Sequence, residues 1–149
     1  MVSTVLTYAT IVQNTQSSVR NLLNADSTVT SLASRVLDGS ATDVINKFSM
    51  FVLAHSPSVA EVNHTIGRYK KVRVSMDIDC IGKQESLVRQ LVDAVRSCLE
   101  TNFTTLNGNK LRNKKIISST VGVVDIGTSD VKSRHIQILT VEFDWYGVN

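Results

Sequence analysis

The stretch that decides the fold is Tyr69–Cys80, YKKVRVSMDIDC, which leads into a second pattern from Lys83 to Phe103. Val72, Val74, Met76, Ile78 and Cys80 share one parity; Lys71, Arg73, Ser75, Asp77 and Asp79 share the other. Successive side chains of a strand point to opposite faces, so this spacing predicts a strand with one apolar and one charged face. After Ile81-Gly82 the period lengthens. Leu87, Val88, Leu91, Val92, Ala94, Val95, Cys98 and Leu99 recur at helical spacing, with Lys83, Glu85, Arg89, Gln90, Asp93, Arg96 and Glu100 on the polar side. Together the two patterns predict a sheet whose apolar face is covered by a helix.

Upstream, Val5–Leu23 reads as an amphipathic helix, with Val5, Tyr8, Ile11, Val12, Val19, Leu22 and Leu23 on its apolar side. Asp26 or Ser27 can cap a second short helix, because a short side-chain oxygen accepts from the first free backbone amides. Arg35-Val36-Leu37 looks extended and ends in the turn signal Asp38-Gly39-Ser40. Phe48–Ala54 (FSMFVLA) is too short for a helix and apolar at every parity, which predicts a strand buried on both faces. Val59–Arg68 is polar and reads as a long connection closing a hairpin between Phe48–Ala54 and Tyr69–Cys80.

Downstream, Asn107-Gly108-Asn109 and Gly127-Thr128-Ser129-Asp130 are turns that bracket a third strand, Ile116–Ile126. His135–Trp145 is the fourth. Its apolar residues change parity between Ile138 and Leu139. That change predicts a bulge there, or burial on both faces. The order gives an α+β fold: a four-stranded, mainly antiparallel sheet with one long central helix on one face, plus N-terminal helices. It is read as a single domain spanning 1–149, with N-terminal helices in 1–40 and a ββαββ core in 44–149.

The 149 residues are 42% hydrophobic and 19% charged, a balance that excludes a disordered chain. No apolar run reaches the roughly 18–20 residues that cross a bilayer, so no membrane partner is expected. The N-terminus has no basic start and no continuous apolar run, so no secretory signal is expected. Cys80 and Cys98, the two cysteines, both fall on apolar faces and are read as buried thiols.

Chemistry is sparse. His55, His64 and His135 lie in separate segments with no second ligand at metal-binding spacing, so no metal is expected. The glycines fall singly and form neither a phosphate loop nor a dinucleotide fingerprint, so no cofactor is expected either. Asp77 and Asp79 share a strand face, but Lys71 and Arg73 precede them, which points to a mixed-charge surface over an acid/base pair. The chain is read as a non-enzyme. Two basic clusters remain, Arg68-Lys70-Lys71-Arg73 and Lys110-Arg112-Lys114-Lys115. They read as edge protection for strands, or as a surface facing a polyanion.

The order and spacing of these elements resemble the tail-terminator, or tail-completion (neck), proteins of long-tailed bacteriophages. Ala33-Ser34-Arg35-Val36-Leu37-Asp38-Gly39 is similar to the Gly-Arg-Val-Tyr-Asp-Gly type of segment common in them, with Leu37 where tyrosine is frequent. Lys47 stands before the first strand, where proline is frequent. The resemblance implies a structural virion protein, assembled in the host cytoplasm. It would form a homo-oligomeric ring, typically a hexamer, that ends the tail tube and joins it to the head–tail connector protein. The tail tube protein and the connector are then its partners, with non-specific contact to passing DNA. Lys70, Lys71, Arg73, Asp77, Asp79, Lys114 and Lys115 are the candidate contacts with that DNA or with a neighbouring subunit. Related alternatives are another neck, head-completion or baseplate component. The alternatives from other classes are a small nucleic-acid-binding domain using the basic clusters and, ranked last, an enzyme built on Asp77 and Asp79.

Overall fold

The computed structural model describes residues 7–38, 50–66, 69–124 and 134–148. The alternating stretch forms β4 (Tyr69–Gly82), the centre of a six-stranded sheet. Strand β8 (Arg134–Val148) runs antiparallel along one side of it, in unbroken register from Lys71↔Tyr146 to Gly82↔His135. Two strands share the other side: β3 (Ser58–Ile66) pairs with the first half of β4, and β2 (Met50–Ala54) pairs with Ile78–Gly82. β1 (Arg35–Asp38) lies parallel to β2, and β7 (Arg112–Val124) lies antiparallel to β8.

Helix α1 (Tyr8–Ala25) begins at Thr7, whose side chain accepts from the Thr10 amide. Asp26 ends α1 and starts α2 (Ser27–Leu32) by accepting from the amides of Thr28 and Val29, both at 3.0 Å. Helix α3 (Glu85–Asn102) buries Val88, Leu91, Val92, Ala94, Val95, Cys98 and Leu99. These residues meet Val72, Val74, Met76, Ile78 and Cys80 of β4 and Leu139, Val141, Phe143 and Trp145 of β8 in one core, which also takes in Ile11, Val19 and Leu23 of α1. All three helices therefore cover one face of the sheet.

After α3, β5 (Thr105–Leu106) and β6 (Asn109–Lys110) form a small hairpin through Asn107 and Gly108. Both turn residues have positive φ, 51° and 81°, as a two-residue hairpin requires. The hairpin is locked to the core where the Trp145 indole donates to the Leu106 carbonyl at 3.0 Å.

The α+β class and the mainly antiparallel sheet agree with the sequence reading; the strand count does not. Six strands join the sheet where four were expected. The polar stretch read as a connection is mostly β3: it pairs with β4 on one side only, so it needs no continuous apolar face. β1 falls where Arg35-Val36-Leu37 was read as extended, and joins the sheet by a parallel pairing to β2 that leaves no local signal. β7 begins at Arg112, four residues earlier than expected, across a register shift between Arg112 and Lys115.

The expected bulge at Ile138-Leu139 is absent from the β4–β8 register. The parity change has the other cause. Ile136 packs with Leu37 against Phe51, Leu53 and Ile81 in a second apolar cluster on the face away from the helices. This arrangement also makes Met50–Ala54 buried at every position, as expected of that strand. Cys80 and Cys98 are free and buried, and burial raises both thiols. Segments 1–6, 39–49, 67–68 and 125–133 and residue 149, with the predicted turns at Asp38-Gly39-Ser40 and Gly127–Asp130, lie wholly or partly outside the described residues.

Candidate functional site

The charged face of β4 points away from the helices, and its neighbours there are the even-numbered residues of β8. One of these is Asp144, 1% exposed between Phe143 and Trp145. A bare carboxylate at that burial would carry a heavy desolvation cost. Three groups offset it. Arg73 Nε donates to Oδ1 at 3.1 Å, Asn113 Nδ2 donates to Oδ2 at 3.0 Å, and Lys71 Nζ lies 3.4 Å from Oδ2. Burial alone would raise the Asp144 pKa; the bonds from Asn113 and Arg73, with the charges of Arg73 and Lys71, outweigh it and hold the group below its usual value. Asn113 reaches Asp144 because φ is +54° at that residue and the β7 register shifts around it, the local geometry by which a bulge re-aims a side chain.

Beside this cluster opens a cleft of about 330 Å³, lined by Arg73, Asn113, Lys114, Lys115, Glu142, Phe143 and Asp144. It brings Arg73 of the first basic cluster beside Lys114 and Lys115 of the second. Arg112 stands beyond it with its guanidinium 5.6 Å from the centre of the Tyr146 ring.

The seven candidate residues are not one site. Lys71 and Arg73 converge on Asp144, and Lys115 stands across from Glu142 in the β7–β8 register. Lys114 turns to the end of α3. Its ammonium donates to the carbonyls of Leu99, Glu100 and Phe103 at 2.9, 3.3 and 2.7 Å. A helix leaves its last carbonyls without partners, and a cation there also favours the helix dipole. Burial pulls the Lys114 pKa down and the charge of Glu100 pulls against it.

At the other end of the same face, Asp77 accepts from the Thr140 hydroxyl at 2.8 Å, and Asp79 lies 2.7 Å from Nε2 of His55. Asp77 and Asp79 therefore have separate partners on opposite sides of β4. Lys70 is placed by its backbone pairing to Thr65 and Val148; its side chain lies outside the described part of the structure.

Asn113, Glu142 and Asp144 complete the cluster and were missed in the sequence. The available signal was the alternation Val141-Glu142-Phe143-Asp144-Trp145, which sets two carboxylates on the face shared with Arg73 once β8 pairs with β4. Among the described residues, no group of three or more His, Cys, Asp or Glu is placed to hold a metal ion.

No protein-family model and no curated protein matches the sequence. Among solved structures, the chain is similar to a chain of the virion of a native gene transfer agent particle, with a TM-score of 0.66 at 16% identity. The match covers 93% of this chain and 99% of that one. At that identity the likeness shows a shared fold.

Proposed function

We propose that the protein is a structural component of a phage-like virion and, within it, the ring that ends the tail tube and meets the head connector. The observation that carries the reading is the likeness in fold to a virion chain, which runs through nearly the whole of both chains. The order of elements that resembles tail terminators supports the finer assignment. So does the layout of the sheet, which ends in β7 on one side and in β1 and β3 on the other. A ring closes through heterologous contacts between two different surfaces of each subunit, and this sheet presents two different borders.

In this reading the charged face of β4 is a seam or lumen wall, not a catalytic surface. Lys71 and Arg73 of that face are ion-paired with Asp144, and Lys114 of β7 is engaged at the end of α3. With these three cations engaged, a nucleic-acid-binding domain has less free charge than the two basic clusters promised. The test is to polymerise the tail tube protein of the same virion with and without the purified chain. Tubes capped at one end and no longer growing support the role of terminator. Unaltered tube lengths with no bound chain would overturn it, and association with a head or baseplate protein instead would move the chain to another position in the particle.

A further inference from the structure

Arg73 spends only part of its guanidinium inside the protein. Its Nε is fixed on Asp144, while neither terminal nitrogen has a partner among the described residues, and the side chain is 55% exposed. Asp144 is itself held from the other side by Asn113 and Lys71, so the stem of the fork is anchored to a buried carboxylate with partners of its own. The two terminal nitrogens are left to the cleft that Arg73 lines. Lys115 lines the same cleft and has neither a hydrogen bond nor an ion pair with the described residues. Lys114, the remaining cation of the wall, is committed to the carbonyls of α3.

We propose that this cleft receives a carboxylate side chain of a protein partner, bidentate on Nη1 and Nη2 of Arg73, with Lys115 at its flank. A planar guanidinium matches a carboxylate through two parallel hydrogen bonds, and a fork already oriented by Asp144 loses little freedom on binding. The cleft wall carries Arg73, Lys114 and Lys115 against Glu142 and Asp144, an excess of one positive charge that a single carboxylate cancels.

A nucleic-acid strand fits less well. Its neighbouring phosphates would be brought against Glu142 and against Asp77 and Asp79, which lie on the same face of the sheet. The inference goes beyond the assembly reading and holds whether or not the subunits close into a ring.

The test uses the full chain with arginine side chains labelled by nitrogen-15, at low ionic strength. N-acetyl-Glu-Glu-amide, inorganic phosphate and a single-stranded oligodeoxynucleotide are titrated separately, with the Arg73 Nε and Nη resonances of the parent locating the contact and titration calorimetry giving the affinity of parent and variants. The expected result is a saturable shift with the dipeptide in the parent, and binding heat that is lost in Arg73→Lys, which keeps the charge but not the fork. Lys115→Gln, a change at an exposed side chain, should weaken the dipeptide by about tenfold, the loss of one charge-assisted hydrogen bond. Three results would overturn the proposal: no saturable shift, an undiminished affinity in both variants, or saturation by phosphate or the oligonucleotide at lower concentration than by the dipeptide.

Discussion

Replacing Lys114 with methionine removes the ammonium that closes the C-terminal end of α3 while keeping the length of the side chain. Three carbonyls lose a donor: Leu99, Glu100 and Phe103. The Leu99 carbonyl keeps its bond from the Phe103 amide, and Glu100 is exposed, so water and backbone recover part of the loss. A hydrogen bond to a charged group is worth about 1.5–3 kcal/mol net, and a cation at a helix C-terminus about 0.3–1 kcal/mol. The burial that lowers the Lys114 pKa works against these gains. The net cost of Lys114→Met should therefore be about 1–2 kcal/mol, equivalent to a fall in Tm of about 2–8 °C for a chain of this size. Urea unfolding followed by circular dichroism measures it, and hydrogen exchange should show faster opening of the last turn of α3. A variant within about 0.5 kcal/mol of the parent, the ordinary range for an exposed surface change, would refute the assignment of Lys114 as the cap.

Other changes probe the core and the buried cluster. Thr15 is fully buried on α1 and its hydroxyl has no partner among the described residues, so Thr15→Val should raise stability by about 1 kcal/mol in chemical denaturation. A Cβ at Gly82 would stand 2.9 Å from Val88 Cγ2 and 3.3 Å from Met50 Cγ; Gly82→Ala should cost about 1–3 kcal/mol by the same measurement. Asp144→Asn removes the buried charge shared by Lys71 and Arg73 and should cost about 1–3 kcal/mol at pH 7. Because the folded pKa of Asp144 lies below its unfolded value of about 3.9, its contribution is complete above that pH and is lost as pH falls through the folded value. The stability gap between parent and Asp144→Asn should thus be level from about pH 7 to 5 and close in stronger acid.

Where one face of an element is buried and the other wet, the chain wrote its structure plainly. The alternation of Val72 to Cys80 and the helical spacing of Leu87 to Leu99 predicted β4 and α3, because each buries a single face against the other. Asp26 was legible as a cap because its short side chain can reach only the amides that follow it. Strand β3 was hidden, because a strand paired on one side with half-exposed residues such as Val59 looks like polar loop.

The parity change at Ile138-Leu139 was real, but its cause lay in distant residues. Phe51, Leu53 and Ile81 create a second apolar face for Ile136. The buried cluster was hardest of all. Arg73 and Asp144 are 71 positions apart, and only the β4–β8 register makes them neighbours. Lys114 was read as part of a basic patch; which neighbours a lysine neutralises is decided by the path of the chain after α3.

The central claim, that this chain is a ring-forming virion component, is tested most directly by the mass of the native species. Multi-angle light scattering on the purified full chain, alone and with its tube protein, should give a closed oligomer of several 16.4 kDa subunits, seen as rings in negative stain. A strictly monomeric 16.4 kDa species that neither assembles alone nor joins the tube would contradict it.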